Sequence, residues 1–200
     1  MRCAGLVLAA GAGTRLGRPK AVVEVGGLRL VDRSVRIVRR AGAEPVFVVV
    51  GAVEVGDVAA IVVRNDEWRT GLASSLRTGL SAVSAYDVGA TPVDAVVITL
   101  VDLVGLTAAA VRRVLSAADA GARIAVATFD GVRGHPVLIR RDDWAEAARA
   151  ADGDSGARRF LAERGADVVE VPCADIASSV DIDTEADLAA ATADEGGRSR

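Results

Sequence analysis

The sequence predicts an α/β fold with a mostly parallel central sheet, and three observations carry that expectation. First, residues 3–10, 45–50, 95–100 and 124–129 are continuous apolar runs rich in Val, Ile and Ala. A strand wetted on one side alternates polar and apolar residues, whereas an unbroken apolar run suits a strand covered on both faces. Second, helical spacing fills the segments between these runs. In residues 31–41, Val31, Val35 and Val38 share one face while Arg33, Arg36 and Arg40 lie elsewhere. Alternation of strand and helix points to helices packed in layers on a sheet. Third, 200 residues at 51% hydrophobic content suit one domain with a full core.

The other elements follow in order. Residues 72–85 and 107–120 read as amphipathic helices, the second with Thr107 as its N-cap. Asp130-Gly131 and Gly134 suggest a hairpin entering residues 136–139, and residues 167–172 form another strand. Thr184 can cap a last helix running through Ala193, with Glu185 and Asp187 favouring its positive end. Residues 194–200 read as a disordered tail. With no linker or internal repeat, residues 1–193 are expected to form a single domain. Residues 51–60 resist assignment, because they join two strand candidates yet are too short and too β-branched for a crossover helix.

Composition excludes several classes of function. A net charge of -3 offers no broad attraction to nucleic acid or to anionic membrane. Six aromatic residues are too few for the stacking platforms that hold single strands. Cys3 and Cys173 fit no metal-ligand spacing and no disulfide framework. The first apolar run is too short to span a membrane, and residues 11–20 lack the form of a secretory cleavage region, so a cytoplasmic location is expected.

Chemistry concentrates after the first strand, in Leu8-Ala9-Ala10-Gly11-Ala12-Gly13-Thr14-Arg15-Leu16-Gly17-Arg18-Pro19-Lys20. The chain contains 23 arginines and a single lysine, and Lys20 closes this segment. Arginine is a planar fork, whereas lysine is a compact point charge on a flexible stem. Glycines ahead of it leave backbone N–H groups able to face phosphate. The spacing is not that of a dinucleotide fingerprint, since Leu16 stands where the third glycine belongs. Nor is it a Walker A loop, which needs glycine directly before its lysine where this chain has Pro19. Pro19 also blocks a regular helix inside the loop. The segment reads as a nucleoside-triphosphate cradle built from Leu8, Ala9, Ala10, Gly11, Ala12, Gly13, Arg15 and Lys20.

This opening motif resembles that of the nucleotidyltransferases that activate phosphorylated small molecules with an NTP. Four further stretches resemble the molybdenum cofactor cytidylyltransferase branch of that MobA-like family. They are residues 65–68 with 71–80, Gly134-His135-Pro136-Val137-Leu138, Gly153-Asp154-Ser155-Gly156-Ala157-Arg158, and residues 181–188. The matches run in the family order from residue 6 to residue 188. The resemblance implies a three-layer α/β/α Rossmann-like fold, CTP as donor and molybdopterin as acceptor, with a molybdoenzyme or cofactor chaperone as a further partner. Ser74 and Ser75 open a helix and suit a base edge or phosphate. Arg77 suits either an exposed helix cation or a clamp on substrate phosphate. The lone histidine, His135, at a strand entrance suits a substrate contact, and Arg158 ends a stretch that resembles an anion-binding turn before a helix, where Asp154 would orient it.

The acidic residues carry the reaction. Asp102 follows the apolar run 96–101 and should sit at the carboxyl end of a central strand, where open α/β sheets place their ligands. A carboxylate there is costly unless it is solvated, paired or holding a cation. Asp102 with Asp183, or with Asp181, suits Mg2+, which takes one or two carboxylates plus substrate phosphates. Asp183 equally suits the cap of the helix that follows. Relatives commonly carry proline two residues after this aspartate; here that position is Val104. The expected activity is Mg2+-dependent transfer of a nucleoside monophosphate to a phosphorylated small molecule, with Arg15, Lys20 and Asp102 as catalytic groups. A sugar phosphate or methylerythritol phosphate as acceptor, or a catalytically silent nucleotide-binding protein, are the competing readings.

Overall fold

In the computed structural model, which describes residues 1–86 and 92–198, a seven-stranded sheet is covered by helices on both faces. The strands are β1 (Cys3–Leu8), β4 (Val46–Val50), β5 (Ile61–Arg64), β6 (Ala95–Leu100), β7 (Ile124–Phe129), β8 (Val132–Arg140) and β9 (Val168–Pro172). Their spatial order is β5-β4-β1-β6-β8-β7-β9. Every pairing is parallel except those of β8, which runs against both β6 and β7. The Asp130-Gly131 turn explains that reversal, because a two-residue hairpin can only return the chain antiparallel. A small hairpin, β2 (Glu24–Val25) with β3 (Leu28–Arg29), stands apart from the main sheet.

The apolar runs are doubly buried, as their composition predicts. In β1, Cys3 and Val7 belong to the core on one face, with Val31, Val35 and Val38 of α1 (Leu30–Arg40) and Val111 and Val114 of α3 (Ala108–Asp119). Ala4, Leu6 and Leu8 belong to the core on the other face, with Leu76 and Leu80 of α2 (Leu72–Ala85). Trp144 of α4 (Trp144–Ala150) and Phe160 of α5 (Arg158–Arg164) complete that second core. Thr107 caps α3 by accepting from the Ala110 N–H at 3.2 Å.

Two stretches go beyond what the sequence assigned. Residues 51–60 contain no helix; they form an irregular crossover whose Val53, Val55, Val58 and Ala60 pack on the first core. The Arg29 guanidinium holds it by donating to the carbonyls of Val55 and Asp57. The last helix, α6 (Glu185–Arg198), continues through five of the residues expected to be a disordered tail; residues 199–200 lie outside the described residues. No helix among the described residues is long and apolar enough to cross a membrane.

Candidate functional site

β1 and β6 are parallel neighbours with Leu8 beside Leu100, so the loop after β1 and the turn after β6 leave the sheet side by side. The first loop turns back on itself between Gly13 and Arg18. Gly13 has φ 63°, and a Cβ there would lie 2.0 Å from the Arg18 carbonyl oxygen, so only glycine permits the reversal. The backbone N–H groups of Gly11, Ala12 and Gly13 take no partner among the described residues. Pro19 is extended (φ -60°, ψ 124°) and delivers Lys20 at the start of a single 3-10 turn.

Lys20 points at two carboxylates. Its Nζ donates to Asp102 Oδ2 at 2.7 Å and to Asp183 Oδ1 at 2.5 Å. Arg15 pairs with the other oxygen of Asp183 at 2.7 Å. Burial works to lower the Lys20 pKa, but hydrogen bonds and charge from Asp102 and Asp183 outweigh it and raise the value, so the side chain is an ammonium. Asp102 keeps a second oxygen, Oδ1, that is buried without a hydrogen-bond partner. Asp181 is the third member of the cluster: one oxygen from each of Asp102, Asp181 and Asp183 lie within 4.8 Å of one another. Burial raises the Asp181 pKa, and the like charges of Asp183 and Asp102 raise it further.

These carboxylates come from segments some eighty residues apart in sequence, joined by a short zipper. Ile182 N–H donates to Asp102 O (3.1 Å), Gly105 N–H to Val180 O (3.4 Å) and Ser178 N–H to Gly105 O (3.1 Å). A Cβ on Gly105 would meet Ser178 Oγ at 2.0 Å, so the close approach depends on glycine. The turn that carries Val104 in place of proline is therefore tied down from outside. Val104 packs against the first core, and its carbonyl accepts from Arg33 at 3.1 Å. Asp183 does not cap α6. Thr184 does, accepting from Asp187 N–H at 3.3 Å, while the Asp187 carboxylate receives the N–H groups of Thr184 (2.7 Å) and Asp183 (3.1 Å). Both carboxylate oxygens of Asp183 are thereby left to the cleft.

The cleft between these segments has a volume of about 580 Å³ and is walled by residues 8–15, Lys20, Asp102, Asp181 and Asp183, with Ser75, Trp68, Arg69 and Arg158 opposite. A glycine-rich loop with unpartnered N–H groups, a lysine and a carboxylate cluster at the carboxyl edge of a mostly parallel sheet now stand together. The family model that matches residues 5–168 is described as the MobA-like NTP transferase domain. The chain belongs to that family.

Similar proteins fill in its surroundings. A relative named nicotine blue oxidoreductase, from Paenarthrobacter nicotinovorans, is 32% identical over 194 residues, covering 90% of this chain and 91% of its own. A probable molybdenum cofactor guanylyltransferase from Opitutus terrae is 40% identical over 83 residues, 41% of each chain. The crystal structure of an Rv0371c homologue from Mycobacterium sp. strain JC1 is 28% identical with a TM-score of 0.79, covering 96% of this chain and 99% of that one. Fold and family together make this MobA-like chain a nucleotidyltransferase. Asp181 and Asp183 fall outside the span matched by the family model, so the zipper to Gly105 is what returns them to it.

The remaining candidates divide. His135 lies in a second cavity of about 550 Å³, which shares Leu8, Leu72, Leu100 and Arg158 with the first. Its Nδ1 is 3.3 Å from Ile98 O, and burial lowers its pKa, so it is a neutral group at neutral pH. Arg158 stands at the junction of the two spaces, but Asp154 does not orient it; the Asp154 carboxylate accepts from the Leu72 N–H at 3.4 Å. Ser75 lines the cleft, whereas Ser74 is committed to the carbonyls of Glu67 (3.0 Å) and Gly71 (2.8 Å). Asn65 donates to both serine hydroxyls and fixes the start of α2. Arg77 points away from both cavities and donates to Ala151 O at 2.9 Å, fastening the segment after α4. Trp68 and Arg69 were missed as cleft residues; the guanidinium of Arg69 lies 4.3 Å above the Trp68 ring. The signal available was an aromatic beside the glycine that opens α2.

Proposed function

We propose that this chain is a Mg2+-dependent cytidylyltransferase that moves CMP from CTP to a phosphorylated small molecule of the molybdopterin type. In this reaction a phosphate oxygen of the acceptor attacks the α-phosphorus of CTP, a new P–O bond forms, and pyrophosphate leaves. The N–H groups of Gly11, Ala12 and Gly13 hold the triphosphate, and Arg15 and Lys20 neutralise it. Ser75 borders the donor space, while Arg158 at the junction draws the anionic acceptor towards it. His135, neutral and half-buried, offers the acceptor a hydrogen bond without adding charge.

Asp102, Asp183 and Asp181 are the residues that would hold the cation, and their donor set fits: three carboxylates with hard oxygens close together, Asp102 also keeping a buried oxygen without a partner. When bound, Mg2+ would supply charge neutralisation on the phosphates and a more electrophilic phosphorus. Positioning and charge account for most of the catalysis in such transfers.

The observation that carries the proposal is that a glycine loop with unpartnered N–H groups and this carboxylate cluster line one cleft. The choice of CTP rests on Ala10, which in this chain stands buried beside the donor space where a bulkier purine needs room. Pyrophosphate release with four NTPs, with and without Mg2+, against molybdopterin, a sugar phosphate and methylerythritol phosphate tests it. Release with GTP alone would move the donor to the guanylyl side, as the name of the Opitutus terrae relative suggests. No release with any pair would remove the transferase reading.

The Paenarthrobacter nicotinovorans relative favours a second reading, a redox activity in the same cleft. Both cysteines are buried, neither lines the cleft, and burial pushes the Cys3 thiol up to about 12. Redox work here would therefore use a bound nucleotide cofactor rather than a thiol. NADH oxidation with a quinone-type dye as acceptor, run beside the pyrophosphate assay, separates the two.

A further inference from the structure

Lys20 makes contacts in this structure that a phosphate ligand alone need not make. Its ammonium occupies the space between Asp102 and Asp183 and bonds to an oxygen of each. The three side chains are similarly enclosed, at 16%, 15% and 25% exposure. Arg15, by contrast, is 72% exposed and touches Asp183 only from outside. Of the oxygens that could bind a cation, Asp102 Oδ2 and Asp183 Oδ1 are thus already neutralised from within.

We propose that Lys20 is an internal stand-in for the divalent cation, and that its departure to the nucleotide phosphates is what opens the cation site. This rests on the reading of the cleft as a triphosphate and cation site. Lys20 lines the same cleft as Gly11, Ala12 and Gly13, so its flexible stem can carry the ammonium from carboxylate to phosphate with the backbone in place. Two things follow from charge balance. A cation arriving alone must displace an ammonium from two carboxylates, so it binds weakly. A cation arriving with phosphates finds the ammonium drawn off, so each ligand strengthens the other, and by linkage the factor is the same in both directions. Lys20 is then a positioning residue for the order of binding as well as a phosphate ligand. An arginine can also bridge two carboxylates, as Arg164 does between Asp143 and Glu146, but its planar fork is less free than a lysine's flexible stem to move from carboxylate to phosphate.

The test measures Mn2+ binding by the free protein through loss of the free-ion electron paramagnetic resonance signal, without nucleotide and without turnover. Lys20→Met should bind Mn2+ roughly tenfold or more tightly than the unaltered protein, because two carboxylates lose their internal partner. Arg158→Met removes a cleft charge that touches no carboxylate of the cluster, and should change Mn2+ affinity by no more than about twofold. Arg15→Met, an exposed change that leaves the fold alone, should give a gain between these and keeps the test alive if Lys20→Met fails to fold. With a non-hydrolysable CTP analogue present, the gain in Mn2+ affinity caused by the analogue should shrink in Lys20→Met. Unchanged or weaker Mn2+ binding in Lys20→Met, or an equal gain in Arg158→Met, overturns the stand-in role. Failure of the analogue to bind the unaltered protein would instead remove the triphosphate reading, while the nucleotide-free measurements still decide on Lys20.

Discussion

Two ionic clusters in this molecule are built from the same kinds of charge and do opposite things. Asp143, at the foot of α4, has a side chain only 1% exposed and is fully provided for. Its Oδ1 accepts from Arg123 (3.0 Å) and Arg164 (2.9 Å), and its Oδ2 from Arg123 Nε (3.1 Å). Asp102, in the cleft, has one oxygen on Lys20 and the other buried with none. The first cluster uses guanidinium forks, which lock a carboxylate by two parallel bonds. The second uses an ammonium, which can leave, and it keeps an oxygen in reserve. In the cluster that ties elements together both carboxylate oxygens are bonded, and the one buried atom left over is the Nε of Arg164, whereas in the cleft it is a carboxylate oxygen that stays unbonded.

The contrast can be broken most severely at Asp102. Asp102→Asn keeps shape and one acceptor but removes the charge that balances the cation, so turnover measured by pyrophosphate release should fall about a thousandfold. Its melting temperature should stay within a few degrees, about 1 kcal/mol, because Lys20 retains Asp183. Lys20→Ala should cost about a hundredfold in the same assay, and Lys20→Arg should restore only part of it. At the other cluster, Asp143→Asn should lower stability by about 2 kcal/mol in urea unfolding, with turnover per folded molecule unchanged. The cost is moderate because the stranded Arg123 is 58% exposed and can be hydrated. A loss of turnover in Asp143→Asn, or of stability in Asp102→Asn, would erase the distinction.

The smallest effect expected is at Asp181, and it depends on pH. The folded protein raises this carboxyl above its ordinary value through burial and the neighbouring Asp183 and Asp102 charges. A carboxyl raised in the folded state binds its proton better folded than unfolded. It therefore costs stability as pH climbs from the usual carboxylate range through the raised value, and the cost persists at neutral pH. Asp181→Asn should raise the metal-free melting temperature slightly at pH 7 and not at pH 3, by calorimetry at both. Excess Mn2+ should cancel the neutral-pH gain, because the cation offsets the same repulsion.

Much of the fold was legible because burial on both faces writes itself as unbroken apolar sequence. β1, β4, β6 and β7 were read within two residues of their bounds, and α2 over the same residues that it occupies. β5 was expected only as a strand candidate after residue 60, without bounds, because it is an edge strand of four residues with alternating exposure, and α4 and α5 are seven-residue helices too short to show a period. The site was legible where chemistry was unusual. A lone lysine after glycines and an aspartate after an apolar run named Lys20 and Asp102, which meet at 2.7 Å. Arg77 misled because it is next but one to Ser75 in sequence. On a helix, residues two apart face different ways, so Ser75 borders the cleft and Arg77 turns to Ala151. Asp183 was ambiguous between cation and cap, and only the Thr184–Asp187 reciprocity, which the sequence does not show, takes the cap away from it.

The Gly105–Ser178 zipper carries a consequence for the order in which the molecule comes into being. Asp181 and Asp183 follow β9, the last strand of the main sheet, so the whole sheet and helices α1 to α5 are encoded before the carboxylate cluster is complete, while Ile182 and α6 still add to the first core. A chain emerging from the ribosome assembles its earlier parts first. During synthesis, then, the glycine loop and Asp102 exist for a time with Lys20 bound to one carboxylate and the second still to come. Docking of residues 178–183 is then a late fastening, which brings two carboxylates to a glycine loop and an Asp102 whose sheet is already encoded.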